Sequence, residues 1–243
     1  MKAFLLAAGE GTRLRPYTDQ IPKCLVPIHG KPLLKIWLDL LAAHRVKEVL
    51  INTHHHADQV DRFVKGIQND LPLSIITSYE KKLLGSGGTI MHNRWFVDGC
   101  NDFIIAYADN LTCLNLGSMM RAHDHYRRNG AVLTMGLFYT TAPQACGIAV
   151  LDPEKKITSF IEKPETPASN LANAGIYIAT KDIFDYKPLK TAGRHGNLVD
   201  MGYHILPAMI GKMFGYIIRE YLRDIGTIQS YYRALKEWPD VNG

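Results

Sequence analysis

The sequence predicts a mixed α/β fold: a mainly parallel sheet flanked by helices, with a smaller antiparallel portion in the second half. Three observations carry this. Short apolar runs rich in β-branched and aromatic residues alternate with amphipathic stretches through the first 130 residues, the pattern of βαβ units. Beyond residue 130 strands follow one another with few helices between them, which calls for mixed or antiparallel pairing. A chain of 243 residues, 47% hydrophobic and 21% charged, can bury a sizeable core and is too apolar for disorder.

In chain order, Lys2–Ala7 is an apolar strand that runs straight into a glycine turn. Leu33–His44 reads as a helix entered through Pro32, whose fixed φ suits a first turn, with Leu34, Trp37, Leu38 and Leu41 on one face. Strands Glu48–Asn52, Leu73–Thr77 and Phe103–Tyr107 then alternate with helices His56–Gly66, Gly88–Phe96 and Leu116–Arg128. Four strands follow: Ala131–Phe138, Gly147–Leu151, Ile157–Ile161 and Ala174–Ala179. Leu198–Ile210 reads as a helix distorted by Pro207, which lacks an amide proton, ahead of strand Met213–Ile218 and helix Ile228–Trp238. Ligands of open α/β sheets sit at the carboxyl ends of strands, so the search for a site begins there.

Charge and cysteine usage narrow the field. Residues 1–35 hold Lys2, Arg13, Arg15, Lys23, Lys31 and Lys35 against Glu10 and Asp19, which is +4 of the net +5. So small and local a surplus argues against a nucleic-acid partner and for a compact phosphate site. Cys24, Cys100, Cys113 and Cys146 form no C-x-x-C pair and lack the histidine spacing of structural zinc, so reduced thiols and a cytoplasmic location are expected. The apolar start is cut short by Glu10, Arg13 and Arg15, unlike a signal peptide, and no run reaches membrane-spanning length, so no membrane partner is expected. Nothing resembling a linker divides the chain, which predicts one domain over 1–243 and leaves a homo-oligomer open. His54-His55-His56 has no other ligand at a diagnostic spacing and reads as a polar loop.

The turn Ala8-Gly9-Glu10-Gly11-Thr12-Arg13 allows positive φ and lets backbone N–H groups approach an anion. A dinucleotide fingerprint would need glycine near Leu14, which speaks against a dehydrogenase, and a Walker A loop would need Gly-Lys-Ser/Thr. The longer run Leu6-Ala7-Ala8-Gly9-x-Gly11-Thr12-Arg13-Leu14-Arg15-Pro16, then Pro22-Lys23-x-Leu25-x-Pro27 and Gly30-Lys31-Pro32, resembles the signature of the sugar-1-phosphate nucleotidyltransferases, also called nucleotide-sugar pyrophosphorylases. The resemblance continues in order through Leu84-Gly85-Ser86-Gly87-Gly88, Asp109, Gly147-Ile148-Ala149, Glu162-Lys163-Pro164, Asn173-Ala174-Gly175-Ile176-Tyr177 and Asp224-Ile225-Gly226-Thr227.

That resemblance implies a Rossmann-like fold, a sugar-binding antiparallel portion, a Mg²⁺ cofactor and two substrates, a nucleoside triphosphate and a sugar 1-phosphate. By the same resemblance Arg13 and Lys23 are the catalytic cations, Asp109 and Asp224 the metal ligands, and Gly147, Glu162, Lys163 and Asn173 the sugar-phosphate site. Leu6, Ala8, Gly9, Gly11, Thr12, Glu80, Gly85 and Gly88 would hold the nucleotide. Such a reaction joins two polyanions, so positioning and fixed positive charge matter more than a protein nucleophile.

Finer choices follow from single residues. Glu80 can only accept hydrogen bonds, which suits the adjacent N1–H and N2–H₂ donors of guanine and favours GTP. Leu-Gly-Ser-Gly-Gly-Thr-Ile resembles mannose- and heptose-1-phosphate guanylyltransferases, with uridylyl or thymidylyl transfer to glucose 1-phosphate as the alternative. A non-catalytic regulatory relative is the alternative of another class; it should have lost Arg13, Lys23 or an acidic ligand, and all are present. Only 16 residues follow Thr227, so the left-handed β-helix of larger relatives is not expected.

Overall fold

The computed structural model describes residues 1–189 and 198–239; residues 190–197 and 240–243 of the expected domain lie outside them. The first half comprises β1 (Lys2–Leu6), the two-residue strands β2 (Pro27–Ile28) and β3 (Lys31–Pro32), α1 (Leu33–Ala43), β4 (Glu48–Thr53), α2 (Ala57–Ile67), β5 (Ser74–Tyr79), α3 (Ser86–His92), β6 (Asp102–Tyr107), β7 (Asn110–Thr112) and α4 (Leu116–Arg128). The second half adds β8 (Leu133–Tyr139), β9 (Gly147–Leu151), β10 (Ile157–Glu162), β11 (Leu171–Thr180), β12 (Met213–Ile217), β13 (Leu222–Asp224) and α5 (Ile228–Glu237). No helix among the described residues is long and apolar enough to cross a membrane.

Strands β5, β4, β1 and β6 lie side by side and all parallel, with Lys2 in register with both Glu48 and Phe103. The chain adds β4 and β5 on one side of β1 and then places β6 on the other, so the strand order reverses between β1 and β6, where a crevice opens at the carboxyl ends. The second half extends this sheet through β11, antiparallel to β6, and onward through β8 and β9. β12 pairs parallel with β8, β10 pairs antiparallel with β9, and β7 and β13 form a separate ribbon.

Alternation along β1 explains the layering. Ala3 and Leu5 face a core with Trp37, Leu38 and Leu41 of α1 and Met119 of α4; Phe4 faces the opposite core with Phe96, Phe103 and Tyr177. Phe4 meets Phe96 and Phe103 edge-on, ring centres 5.1 and 5.7 Å away. Burial of each such side chain is worth roughly 1.5–3 kcal/mol, so both faces of β1 hold it in the sheet beneath the crevice.

Two expected helices differ. The third begins at Ser86, because Gly85 (φ 79°) turns the chain there, and stops at His92 before a 3₁₀ turn, Arg94–Val97. The stretch 198–210 is no α-helix: Asp200 is extended and caps a π turn, Met201–Ile205, and Pro207 sits in a 3₁₀ turn, Leu206–Met209. Strands β2, β3, β7 and β13, of two or three residues, carry too few positions for a readable period.

Candidate active site

At the end of β1 the Ala7 amide donates to Asn52 Oδ1 (2.7 Å), and the Ala108 amide to the Leu6 carbonyl (3.0 Å). The turn that follows is pinned by Thr18, whose hydroxyl donates to the Gly11 carbonyl (2.8 Å). Gly11 must be glycine: its φ is 66° and a Cβ would sit 2.9 Å from Thr18 Cγ2. Thr12 opens a 3₁₀ turn that sends Leu14 into the core, so Leu14 is a plug where a dinucleotide loop would keep a glycine.

Two cavities meet over this crevice. The first, about 280 Å³, is lined by Leu6, Ala8, Gly9, Lys23, Glu80, Gly85 and Asp109, among others. The second, about 520 Å³, is lined by Arg13, Gly147, Glu162, Lys163, Asn173 and Asp224, among others. Tyr107, Asp109 and Asp200 line both. Of the expected residues, Gly11, Thr12 and Gly88 reach neither wall, and Arg13 lies on the second rather than the first.

Charged groups converge where the cavities join. Pro22 enters a 3₁₀ turn, Lys23–Leu25, that leaves the Lys23 ammonium almost buried, 2.6 Å from Asp109 Oδ2 and 3.4 Å from Asp224 Oδ1. Burial opposes its charge, but Asp109 and then Asp224 outweigh burial and hold the lysine above its ordinary pKa. The Ile225 amide donates to the Asp109 carbonyl (3.2 Å), tying the two acidic segments together, and Ser230 Oγ donates to the Asp224 carbonyl from the start of α5. A Cβ on Gly226 would stand 3.0 Å from Arg13 Nη2 and 2.8 Å from Asp224 Oδ1, so the bare glycine lets both side chains in.

The fit to a divalent cation can be judged from this donor set. Two oxygen-only side chains that already face one ammonium can face another cation, and Mg²⁺ takes one or two carboxylates plus phosphate oxygens and water. Among the described residues no group of three His, Cys, Asp or Glu side chains could hold an ion, so a cation at this pair would take its other ligands from substrate oxygens and water.

Glu80 is buried, and its carboxylate is heavily used. Oε1 accepts from Asn52 Nδ2 (2.8 Å) and from Thr89 Oγ1; Oε2 accepts from the Leu84 amide (3.0 Å). His54 Nδ1 lies 2.7 Å from the Glu80 carbonyl, which gives the first histidine of the run a loop-bracing contact. Gly85 lets a neighbouring segment pass close by, since a Cβ there would stand 2.6 Å from the Val199 carbonyl oxygen, and the Gly88 amide donates to that oxygen (2.9 Å).

In the second cavity Glu162 ends β10, and Lys163 turns the chain with φ 49° while its amide donates to the Cys146 carbonyl (3.0 Å). Side chains at Gly147 or Gly202 would overlap Glu162 Oε2, so the carboxylate is wedged between two bare glycines. Burial and then the negative Asp200 push it up to about 7, against a smaller opposing pull from Lys163. Asn173 braces a β-bulge in β11, donating to the Tyr177 hydroxyl (2.7 Å) and accepting from the Gly175 amide (2.9 Å).

Sequence reasoning passed over Asn52, Thr89, Tyr107 and Asp200. Asn52 carried a signal, a polar residue closing an apolar strand beside β1; Asp200 stood out only as an acid within Leu198–Met201.

Comparison with known proteins agrees with this geometry. The curated uridylyltransferase "UTP--glucose-1-phosphate uridylyltransferase" of Synechocystis sp. is 32% identical, covering 97% of this chain and 63% of that protein. Mannose-1-phosphate guanylyltransferase of Mycobacterium tuberculosis is 30% identical over 96% of this chain and 63% of its own length. This chain thus spans about 63% of the length of these relatives. Among solved structures, HddC from Yersinia pseudotuberculosis (TM-score 0.78, 23% identity, covering 98% of this chain and 99% of that one) and a UDP-glucose pyrophosphorylase complexed with UDP-glucose (0.80, 23%, 97% of each) share the fold. The model of one family, described as Nucleotidyl transferase, matches residues 2–240, and with the glycine turn, the Lys23 turn and the paired aspartates in place, this chain belongs to that family.

Proposed function

We propose that this chain transfers a nucleoside monophosphate from a nucleoside triphosphate to a sugar 1-phosphate, giving a nucleotide sugar and pyrophosphate. The observation that carries this reading is the Lys23 ammonium, held between Asp109 and Asp224 where the two cavities join. The triphosphate takes the first cavity, with the turn at Ala8 and Gly9 beside it, and the sugar phosphate takes the second, with Lys163 on its wall. The acceptor oxygen then approaches the α-phosphorus from one side while pyrophosphate leaves on the other. Lys23 exchanges a carboxylate contact for a phosphate oxygen and offsets the charge that builds there; Arg13, beside Asp224 on the second wall, adds a guanidinium fork against the phosphates that converge at the junction. A phosphate monoester is ionised at neutral pH, so no side chain need take a proton. Asp109 and Asp224 would hold Mg²⁺, which when bound supplies positive charge against the triphosphate.

Within this reading the donor is GTP and the acceptor a mannose- or heptose-type sugar 1-phosphate. Glu80 stands on the first wall, but three hydrogen bonds leave its carboxylate about one acceptor direction. The guanine preference therefore leans on the mannose-1-phosphate guanylyltransferases among the relatives. Uridylyl transfer to glucose 1-phosphate is the second reading, favoured by the Synechocystis relative.

The test is pyrophosphate release with Mg²⁺, each of GTP, UTP and dTTP, and a panel of sugar 1-phosphates. GTP with mannose 1-phosphate should be fastest, and Lys23→Ala should lower kcat by about 10²-fold or more. No release with any pair would end the proposal, and a preference for UTP or dTTP would replace only the base.

A further inference from the structure

The Gly85-Ser86-Gly87-Gly88 run has an unexpected neighbour. Residues 198–200 cross it in extended form, bound by the Val199 amide to the Leu84 carbonyl (3.0 Å) and by the Gly88 amide to the Val199 carbonyl (2.9 Å). Cβ atoms on Gly85 and Gly87 would approach Val199 to 2.6 and 3.0 Å, so this close passage requires the glycines. Ser86 completes the joint: its hydroxyl donates to Asp200 Oδ2 (2.9 Å) and accepts from the Met201 amide (2.8 Å). The loop from the nucleotide side is thereby a seat, and what it seats is a carboxylate lining both cavities.

Beside it lies Glu162. The point where a Gly202 Cβ would stand overlaps Glu162 Oε2 and is 3.2 Å from Asp200 Oδ1, so two carboxylates flank one bare glycine. Asp200 has donors in Ser86 and the Tyr203 amide (3.1 Å). Glu162 has no hydrogen-bond donor among the described residues. A half-buried carboxylate without protein donors, next to another negative charge, is solvated only through the cavity it lines, and the hydroxyls of a ligand can take the place of that water.

We infer that Asp200, seated by Ser86, is a specificity-determining residue that, with Glu162, selects a sugar 1-phosphate presenting free hydroxyl donors at the junction of the cavities. An N-acetylated sugar presenting its amide carbonyl there would set an acceptor against two carboxylates and is rejected. The inference deepens the transfer reading and rests on it.

Asp200→Asn removes the charge while asparagine still caps the following turn, its NH₂ then facing Ser86 Oγ, whose hydroxyl must turn to accept rather than donate. Steady-state kinetics use the triphosphate the wild type prefers, with mannose, glucose and N-acetylglucosamine 1-phosphates. The KM for the best hexose 1-phosphate should rise about tenfold, as for a lost charge-assisted hydrogen bond. The KM for the triphosphate should stay within about twofold, and discrimination against N-acetylglucosamine 1-phosphate should narrow. Ser86→Ala, which loosens the seat but keeps the acid, should move the same constants the same way by about threefold, and decides the matter if Asp200→Asn does not fold. Unchanged sugar-phosphate KM in a folded variant, or both KM values rising together with a lower melting temperature, overturns the inference. A wild type inactive with every pair sinks the transfer reading and this inference together, whereas an active wild type with unaffected variants sinks this inference alone.

Discussion

Two glutamates, one in each cavity, are treated in opposite ways. Glu80 receives donors from Asn52, Thr89 and the Leu84 amide and is buried. Glu162 receives none among the described residues, and burial beside Asp200 pushes it up to about 7. The Glu80 side of the first cavity is thus finished by the protein itself, its carboxylate consumed in bracing β4, α3 and the loop at Leu84. The second is left with unmet acceptors, which is what a pocket for a hydroxyl-rich ligand requires. A satisfied carboxylate on a cavity wall is scaffold; an unsatisfied one marks where ligand donors belong.

The joint between the cavities offers the harshest way to break this contrast. Gly85→Ala places a side chain on a residue with φ 79° and a Cβ 2.6 Å from the Val199 carbonyl, so backbone must move. The expected loss is about 3 kcal/mol or more, from positive-φ strain plus the broken seat. Chemical denaturation should show it, and a loss under about 1 kcal/mol would mean that the loop slides freely over residues 198–200.

Glu80→Gln sharpens the contrast. An amide must turn its NH₂ either toward Leu84 N–H or toward the Asn52 and Thr89 donors, which sets donor against donor in a buried place. Destabilisation of about 2 kcal/mol is expected, with turnover falling only as far as the loop loosens. A variant of wild-type stability that loses GTP selectivity would restore Glu80 as a reader of the base.

The same contrast explains what was legible in the sequence. Around the first cavity, contiguous motifs and regular periods coincide: β1, α1 and β4 fall within a residue or so of expectation, α4 coincides, and Lys23 and Asp109 lie on the wall. Around the second, single residues arrive from separate segments. The stretch at 198–210 has apolar spacing that suits a helix, yet two backbone bonds to the glycine loop hold its start extended, and Pro207 shortens the rest. Asp200 was illegible because its position depends on that tertiary clamp. Gly85 and Gly87 were visible as glycines, but not the strand-like segment that requires them.

Glu162→Gln should have the smallest effect and the opposite sign. With a folded-state value of about 7 against an ordinary 4.5, the folded protein keeps a proton between those limits that the unfolded chain has released. Stability therefore falls as pH rises from about 4.5 to about 7 and stays lowered above it. Glutamine cannot ionise, so the variant should lack that part of the slope. Because the group is only partly buried, the difference should reach about 1–2 kcal/mol in favour of the variant at pH 8 and vanish near pH 4.5. Denaturation curves for both proteins at pH 5 and 8 give the comparison. If the variant is instead less stable at pH 8, the wild-type carboxylate has found donors of its own, and the distinction between a finished cavity and an expectant one fails at the residue that defines it.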